Sequence, residues 1–170
     1  MNIIVISVGG SIIVPDDIDT KFLKEFKQII LDYVSKGNKV IIVTGGGITA
    51  RNYISACNDV SSTDDFDLDL IGIRATKINA ELLRAVFSDN AYGSVVEDPT
   101  QNFSTDKSII IGSGWKPGFS SDMDAVLLAE NLGAKTLINM SNIEYVYDKD
   151  PKKHDDAKPL ENMSWKELIE

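Results

Sequence analysis

Residues 40–51 predict a buried strand that ends in a glycine-rich turn and continues into a helix. The four residues before Thr44 are apolar and β-branched, and they are Val40, Ile41, Ile42 and Val43. Because they do not alternate with polar residues, they predict a strand that is buried on both faces of a sheet. Three consecutive glycines follow Thr44, and without a Cβ atom they allow close approach to the backbone.

A helix is expected after these glycines, with Arg51 in its first turn. Bare amides, a helix N-terminus and a cation then meet at one point, which is typical of an anion-binding site. A tight βα turn without any ligand is the alternative for an isolated run of glycines.

The composition of the chain fits one globular domain. At 170 residues, with 43% hydrophobic and 25% charged residues, the chain is long enough to bury one sizeable core. We therefore predict a single domain over residues 1–170. The formal net charge of -9 argues against nucleic acid or an anionic membrane as a partner, because its field repels polyanions. An anionic small ligand would need a local positive pocket.

The single cysteine, Cys57, excludes an intramolecular disulfide. It falls on one apolar face of the predicted helix with Ala50, Tyr53 and Ile54, so we expect a core thiol. No long apolar run and no N-terminal signal pattern occur in the sequence. We therefore expect a cytoplasmic protein.

Strands and helices alternate along the chain. Buried strands are predicted at residues 3–6, 40–43 and 108–111. Further strands are predicted at residues 136–140 and 91–96, with a short hairpin arm at 145–147. Helices are predicted at residues 20–36, 70–87 and 123–132, with an acidic loop at 58–69 and a capped helix that starts at Ser164. This alternation predicts an α/β fold, with three αβα layers and a mostly parallel central sheet.

Helical spacing also predicts which faces of two later helices are buried. In the helix at 70–87 the predicted core residues are Ile71, Ala75, Ile78, Leu82 and Val86. In the helix at 123–132 they are Val126, Ala129 and Leu132.

Three glycine-rich turns follow predicted strands. They are the turns at Gly9 and Gly10, at residues 45–47, and at residues 112–122. Ligands of parallel α/β sheets bind beyond the carboxyl ends of the strands, where all three turns are expected. A nucleotide or polyphosphate pocket follows. The sequence contains neither a P-loop motif nor the G-x-G-x-x-G pattern of dinucleotide-binding folds.

The order and spacing of these motifs resemble the amino acid kinase family, and within it the archaeal-type uridylate (UMP) kinases. The resemblance runs from Asn2 to the end of the chain, and its motifs are residues 7–11, 44–51, 69–73, 75–80, 116–118, 120–122, 141–142 and 147–153. It implies ATP-dependent phosphorylation of UMP to UDP with Mg²⁺, by a homohexamer.

The resemblance also implies the residues of the site. ATP phosphates would contact Ser7, Val8, Gly9, Gly10, Ser11, Gly47 and Arg51. The ATP base and ribose would contact Ser141, Asn142, Tyr147 and Asp150. UMP would contact Gly46, Asp69, Trp115, Lys116, Pro117, Gly118, Phe119, Ser120 and Ser121.

The chemistry of these residues suits phosphoryl transfer to a phosphate. The acceptor oxygen is already anionic, so no general base is required, and His154 lies in a polar loop where we expect a surface residue. Alignment and charge neutralisation remain necessary. We expect Arg51 to neutralise phosphate charge and Asp122 to orient cations and magnesium-bound water. An arginine on the helix surface and an ordinary N-terminal helix acid are the alternatives for these two residues.

The chain departs from the family pattern in three places. Ser7 and Val8 precede the first glycines where many members carry a lysine, and Tyr145 replaces a turn glycine. The family continues beyond the motif at 147–153 with a further helix, a glycine-containing loop and a strand–helix pair. We therefore expect a C-terminally abridged domain that lacks part of the ATP-binding half.

Two other functions fit the same motifs. One is a different small-molecule kinase of the family, acting on an acylglutamate, a carbamate or isopentenyl phosphate. Kinases of isopentenyl phosphate carry a histidine shortly after the triple glycine, and residues 48–53 contain none. The other is a non-catalytic protein that binds nucleotides or serves in assembly.

Overall fold

The computed structural model describes residues 2–143, 145–149, 151 and 153–162. The contacts within the chain divide it into two compact units, Met1–Met140 and Ser141–Glu170. The single domain expected over residues 1–170 remains a prediction, and the helix expected from Ser164 lies outside the described residues.

The first unit contains four strands and five α-helices among the described residues. The strands are β1 (Ile3–Val8), β2 (Lys39–Thr44), β3 (Ile109–Gly112) and β4 (Thr136–Met140). The helices are α1 (Gly10–Ile13), α2 (Thr20–Ser35), α3 (Gly47–Val60), α4 (Asp65–Phe87) and α5 (Ser121–Asn131). One turn of 3-10 helix, Ser88–Asn90, follows α4.

The four strands form one parallel sheet in the order β3-β2-β1-β4. In the register of the two central strands Ile4 lies opposite Val40 and Val8 lies opposite Thr44. The predicted parallel sheet is therefore confirmed for all four main strands. Residues 91–96, predicted as a further strand, form only isolated bridges at Ala91 and Val96, because no neighbouring residues extend the pairing.

Helices cover both faces of the sheet. On one face, Phe26 of α2 and Leu83 and Phe87 of α4 pack with Ile42 and other sheet residues in one core cluster. On the other face, Leu128 and Ala125 of α5 pack with Val5, Ile41, Val43 and Ile110 in a second cluster. Alternate residues of β1, β2 and β3 thus serve opposite cores, which explains the uninterrupted apolar runs in these strands. Strand β4 lies at the edge of the sheet and is largely exposed. The αβα layers are as predicted.

The predicted helix faces need three corrections. Helix α3 packs along α4 and has no fully buried residue. Tyr53 is therefore 68% exposed. The Cys57 thiol is half-buried beside the Thr63 hydroxyl group, so the prediction of a core thiol is wrong. In α4 the predicted Ala75 is buried, but the predicted Ile78 is 64% exposed. The buried face also contains Ile73, Ala80, Leu83 and Phe87, which were not predicted. Of the core residues predicted at α5, Ala129 and Leu132 pack against the core, but Val126 faces outward. The fully buried apolar residues on this helix are Ala125 and Leu128 instead.

The loop expected at residues 58–69 is shorter than predicted. Helix α3 continues to Val60 and α4 begins at Asp65, where the Asp64 side chain accepts a hydrogen bond from the Asp67 amide at 2.9 Å. The aspartates of this stretch thus supply an N-cap and acids for the first turn of α4. The chain after Gly9 also forms the short helix α1 instead of an open turn.

The second unit contains a small antiparallel ladder. Strand β5 (Val146–Tyr147) pairs with β6 (Pro159–Leu160), and this confirms the predicted hairpin arm. The exposed His154 lies between the two strands, in agreement with a surface position. In the described part of the chain, none of the helices has both the length and the apolar character needed to cross a membrane.

Candidate active site

The first two glycine-rich turns pack directly on each other at the carboxyl edge of the sheet. The Gly45 amide donates to the Val8 carbonyl oxygen at 2.9 Å, and the Gly9 amide donates to the Met140 carbonyl oxygen at 2.9 Å. A Cβ atom on Gly10 would overlap the backbone of residues 45–47, and Gly47 has a φ of +64°. Glycine is therefore required at both turns by close packing and by backbone conformation. The common edge predicted for the turns is confirmed.

Helix α4 holds the second glycine turn in place. The Asn79 amide group donates to the carbonyl oxygens of Gly45 at 2.8 Å and Gly46 at 3.3 Å. The Thr44 hydroxyl donates to the Thr76 carbonyl oxygen at 2.9 Å. Asn79 and Thr76 are buried, so these bonds are shielded from competition with water. The turn is therefore a rigid part of the fold.

The third glycine-rich loop is held by side chains from two helices. From α4, the Thr76 hydroxyl oxygen accepts from the Gly114 amide at 2.8 Å, and an Asp69 carboxylate oxygen accepts from the Gly118 amide at 2.8 Å. From α5, an Asp124 carboxyl oxygen accepts from the Trp115 amide at 3.1 Å. Three backbone amides of this loop are thus fixed.

A further hydrogen bond connects the first turn with the start of α5. The Ser7 hydroxyl donates to Asp122 Oδ1 at 2.6 Å, across 115 residues of sequence. Ser7 is buried, whereas Asp122 is exposed in the first turn of α5. The two residues were predicted for neighbouring roles from separate motifs, and the fold brings them into contact.

A cavity of about 300 Å³ lies beside these turns. Its lining includes six residues that the family resemblance implies for binding of phosphate or acceptor, and they are Gly46, Gly47, Arg51, Asp69, Phe119 and Ser121. Arg51 is the fifth residue of α3, so it lies in the second turn and not, as expected, in the first. Among the described residues Arg51 forms no ion pair with a carboxylate. The cavity thus combines backbone amides, one cation, one carboxylate and an aromatic ring.

An aromatic pair forms the outer part of the third loop. The rings of Trp115 and Phe119 meet edge to face, with centroids 5.1 Å apart and planes inclined by 68°. The Lys116 ammonium group lies 3.7 Å from the Trp115 ring centroid and 4.8 Å from that of Phe119. This arrangement covers the apolar rings with a cation and holds Phe119 at the wall of the cavity.

Four of the residues predicted to bind ATP belong to the second unit. Ser141 and Asn142 are exposed, Tyr147 is half-buried in β5, and Asp150 lies outside the described residues. Pro117 and Gly118 belong to the third loop without lining the cavity, and Gly118 has a φ of +83°. Ser120 caps α5 by accepting from the Met123 amide at 3.2 Å.

Sequence reasoning did not select three buried polar residues that organise the site, and these are Thr76, Asn79 and Asp124. The available signal was that these polar residues share the inner face of a helix with apolar residues. Burial raises the pKa of Asp124 to about 6, and the hydrogen bond from the Trp115 amide opposes this increase. Asp124 Oδ1 is buried without a hydrogen-bond partner in the described structure.

Among the described residues, protein side chains alone form no cage for a metal ion at the site. In the described part of the chain, no group of three or more histidine, cysteine or acidic side chains is placed to hold a metal. Asp122 supplies one carboxylate beside the glycine turns. This donor set fits Mg²⁺ that arrives with a nucleotide, because such ions keep phosphate and water ligands and need one or two carboxylates.

The sequence model of the amino acid kinase family matches residues 2–170. The chain belongs to the amino acid kinase family. A uridylate kinase of Thermococcus sibiricus is 41% identical over 169 residues, which are 98% of this chain and 74% of the relative. A uridylate kinase of Methanocorpusculum labreanum is 38% identical over 172 residues, with 100% of this chain and 72% of the relative covered. The chain thus spans about three quarters of the length of these relatives.

Solved structures of the family agree with the fold. The uridylate kinase from Archaeoglobus fulgidus superposes with a TM-score of 0.80 at 32% identity, covering 99% of this chain and 77% of the other. The UMP kinase from Bacillus anthracis superposes with a TM-score of 0.66 at 22% identity, covering 93% and 72%, and supports the fold alone.

Proposed function

We propose that this member of the amino acid kinase family is a uridylate kinase, which transfers the γ-phosphate of ATP to UMP and produces UDP and ADP. The observation that carries this function is the cavity at the carboxyl edge of the sheet, where glycine amides, Arg51 and Asp69 converge. Relatives that are 37–41% identical bear the name uridylate kinase, and the cavity has the groups that a nucleoside monophosphate needs.

The acceptor phosphate needs neutralisation and alignment. Its anionic oxygen forms a bond to the γ-phosphorus while the bond to the β,γ-bridging oxygen breaks, so no proton has to be removed from the nucleophile. The Gly46 and Gly47 backbone at the start of α3 offers amides to phosphate oxygens, and the helix dipole adds positive potential there. Arg51 supplies a full positive charge to the same cavity. These groups stabilise the charge that spreads over the transferred phosphoryl group.

Asp69 is the proposed contact of the UMP ribose. Its carboxylate lines the cavity and already accepts from the Gly118 amide at 2.8 Å. An ionised carboxylate has about four acceptor sites, so capacity remains for ribose hydroxyl groups. Phe119 lines the cavity and packs against the Trp115 ring, so the two rings offer an apolar wall for the pyrimidine. Lys116, Pro117, Gly118, Ser120 and Ser121 complete the proposed acceptor loop.

The phosphates of the donor nucleotide are proposed to bind at the first turn, at Ser7, Val8, Gly9, Gly10 and Ser11, together with Gly47 and Arg51. The contacts that the family resemblance implies for the ATP base and ribose, Ser141, Asn142, Tyr147 and Asp150, stay a prediction. Mg²⁺ bound with ATP would neutralise phosphate charge, and Asp122 would orient its water ligands. A cytoplasmic location belongs to the same proposal.

Homo-oligomerisation, to a hexamer by family resemblance, is part of this proposal. Large apolar side chains on the outer surfaces of α3 and α4 support self-association, since Tyr53, Val60, Phe66 and Ile78 are each at least 60% exposed. Sedimentation velocity of the purified chain tests assembly directly, and a monomer at all concentrations would contradict it.

The function is tested by incubating the chain with ATP, Mg²⁺ and one acceptor at a time, and by separating the nucleotides chromatographically. We expect UDP and ADP in equal amounts with UMP, and neither product with isopentenyl phosphate or an acylglutamate. Calorimetric titration of UMP into the same protein gives a readout that does not depend on turnover. Absence of UMP binding, or phosphorylation of another acceptor in preference to UMP, would refute the assignment.

A further inference from the structure

Asp124 is an unusual residue for its position. It is fully buried in α5, near Ala125 and Leu128 of the apolar core, with 0% of its surface exposed. One carboxyl oxygen accepts from the Trp115 amide at 3.1 Å, and the other has no hydrogen-bond partner in the described structure. Burying a carboxyl group with an unsatisfied oxygen destabilises a fold. A small apolar residue would be less costly to bury, so a role other than stabilisation should account for the acid.

The hydrogen bond places Asp124 at the beginning of the acceptor loop. The Gly114 and Trp115 amides are consecutive, and they are held by Thr76 of α4 and Asp124 of α5, respectively. The next side-chain contact to the loop backbone is at Gly118, where Asp69 accepts. Between these points, the Trp115 ring packs against Phe119, which lines the cavity. The orientation of the Trp115 backbone therefore fixes the aromatic wall.

We propose that Asp124 is a positioning residue that sets the aromatic wall of the acceptor pocket by accepting a hydrogen bond from the Trp115 amide. It does not contact the substrate itself. This role rests on the proposed uridylate kinase function in one respect, namely that the wall contacts the base of UMP. The pyrimidine is thus bound by an aromatic pair whose position depends on one buried carboxyl group.

The first measurement needs no ligand. The chain has two tryptophans, and a Trp165→Phe background leaves Trp115 as the single emitter. In that background Asp124→Ala should shift the emission maximum of Trp115 and make it more accessible to acrylamide. Asp124→Asn retains an amide oxygen as acceptor and should leave both properties as in the parent. Asp59→Ala removes a carboxylate from an exposed position of α3 and is the matched control.

The second measurement concerns the base of the acceptor. Calorimetry should show that Asp124→Ala weakens UMP binding about tenfold, as expected for loss of a buried hydrogen bond, while ribose 5-phosphate binding stays unchanged. Asp124→Asn should restore UMP affinity to the parent value. If Asp124→Ala does not fold, Asp124→Ser is used, because its hydroxyl is one bond too short to maintain the contact and should show the same selective loss.

The outcomes separate the positioning role from the proposed function. An unchanged Trp115 spectrum in Asp124→Ala, or an equal loss of UMP and ribose 5-phosphate affinity, would overturn the positioning role. The Trp115 spectrum could shift in Asp124→Ala while the parent protein binds UMP no better than ribose 5-phosphate. That outcome would support the positioning role and refute the assignment of the aromatic wall to the base of UMP. Failure of Asp124→Asn to restore affinity would contradict the hydrogen bond as the cause.

Discussion

Replacing Asp124 by asparagine should change how the stability of the fold depends on pH. Burial raises the pKa of Asp124 from an ordinary value of 3.8 to about 6 in the folded protein. The folded state therefore binds a proton more tightly than the unfolded chain. As pH rises from about 4 to about 6, the unfolded state loses this proton first, and the free energy of unfolding falls. Asparagine cannot ionise, so the variant should lack this decrease.

The size of the effect follows from the difference between the two pKa values. A shift of about two pKa units corresponds to roughly 3 kcal/mol of destabilisation by the ionised form at neutral pH, as an upper limit, because a fold relaxes around a buried charge. About half of this change develops between about pH 5 and pH 7. The difference in free energy of unfolding between Asp124→Asn and the parent should therefore increase by about 1 kcal/mol from about pH 5 to about pH 7.

The assay is urea unfolding of the parent and the variant at about pH 5 and about pH 7.5, both above the isoelectric point of about 4.6. Asp59→Asn, at an exposed position, serves as control and should follow the parent at both pH values. Other carboxylates titrate in all three proteins, so their contributions cancel in the differences. Parallel pH profiles for the parent and Asp124→Asn would refute the reasoning, because they would show that Asp124 has the same pKa folded and unfolded.

Three further substitutions test the site and its framework. Arg51→Ala should weaken ATP binding about tenfold to a hundredfold by calorimetry while leaving the thermal midpoint nearly unchanged, and equal affinity would assign Arg51 to the helix surface. Asp69→Ala should reduce the difference in affinity between UMP and dUMP without changing the affinity for pyrophosphate, and Asp69→Asn should reduce this difference less. If the parent protein binds UMP and dUMP with equal affinity, the proposed ribose contact is excluded. Gly10→Ala should lower the free energy of unfolding by about 1–3 kcal/mol or more in urea titrations, because the added Cβ atom overlaps the backbone of residues 45–47. An unchanged free energy of unfolding would mean that the two turns can move apart without cost.

The strands of this protein were predictable because their sequence signal is local. Residues 40–43 and 109–111 are apolar without alternation, and each run ends in glycine-rich sequence. A strand buried on both faces produces this pattern wherever it lies in the sheet. Parallel strands joined by helices then place their carboxyl ends on one edge, so the convergence of the glycine turns follows from the order of elements alone.

The helix faces were harder to predict because two faces of α4 are apolar. Ile71 and Ile78 are at helical spacing, and so are Ile73, Ala80 and Phe87. Periodicity identifies both sets, but only packing against the sheet determines which one is buried. In the fold Ala80 and Phe87 of the second set belong to the core beside the sheet, and Ile73 is buried at the cavity. Ile78 lines a shallow apolar surface with Tyr53 of α3.

The buried polar contacts could not be predicted for a different reason. Asn79, Thr76 and Asp124 bind backbone atoms that lie between 9 and 38 residues away in sequence. Backbone groups are the same at every residue, so the sequence contains no complementary side chain that would identify the partner. Only the polarity of these residues on inner helix faces signals that some partner exists.

The contacts of α4 explain how the site meets the demand of phosphoryl transfer for alignment. The Thr76 carbonyl oxygen accepts from Thr44 at the end of β2, and its hydroxyl accepts from Gly114 in the acceptor loop. Asn79, one turn later, holds the carbonyl oxygens of the second glycine turn, and Asp69, two turns earlier, holds Gly118. One rigid helix thus sets the distance between the proposed phosphate-binding turn and the proposed acceptor loop. Because the nucleophile is already anionic, we expect this fixed distance, together with the proposed charge neutralisation by Arg51, to be the main contribution of the described residues to the rate.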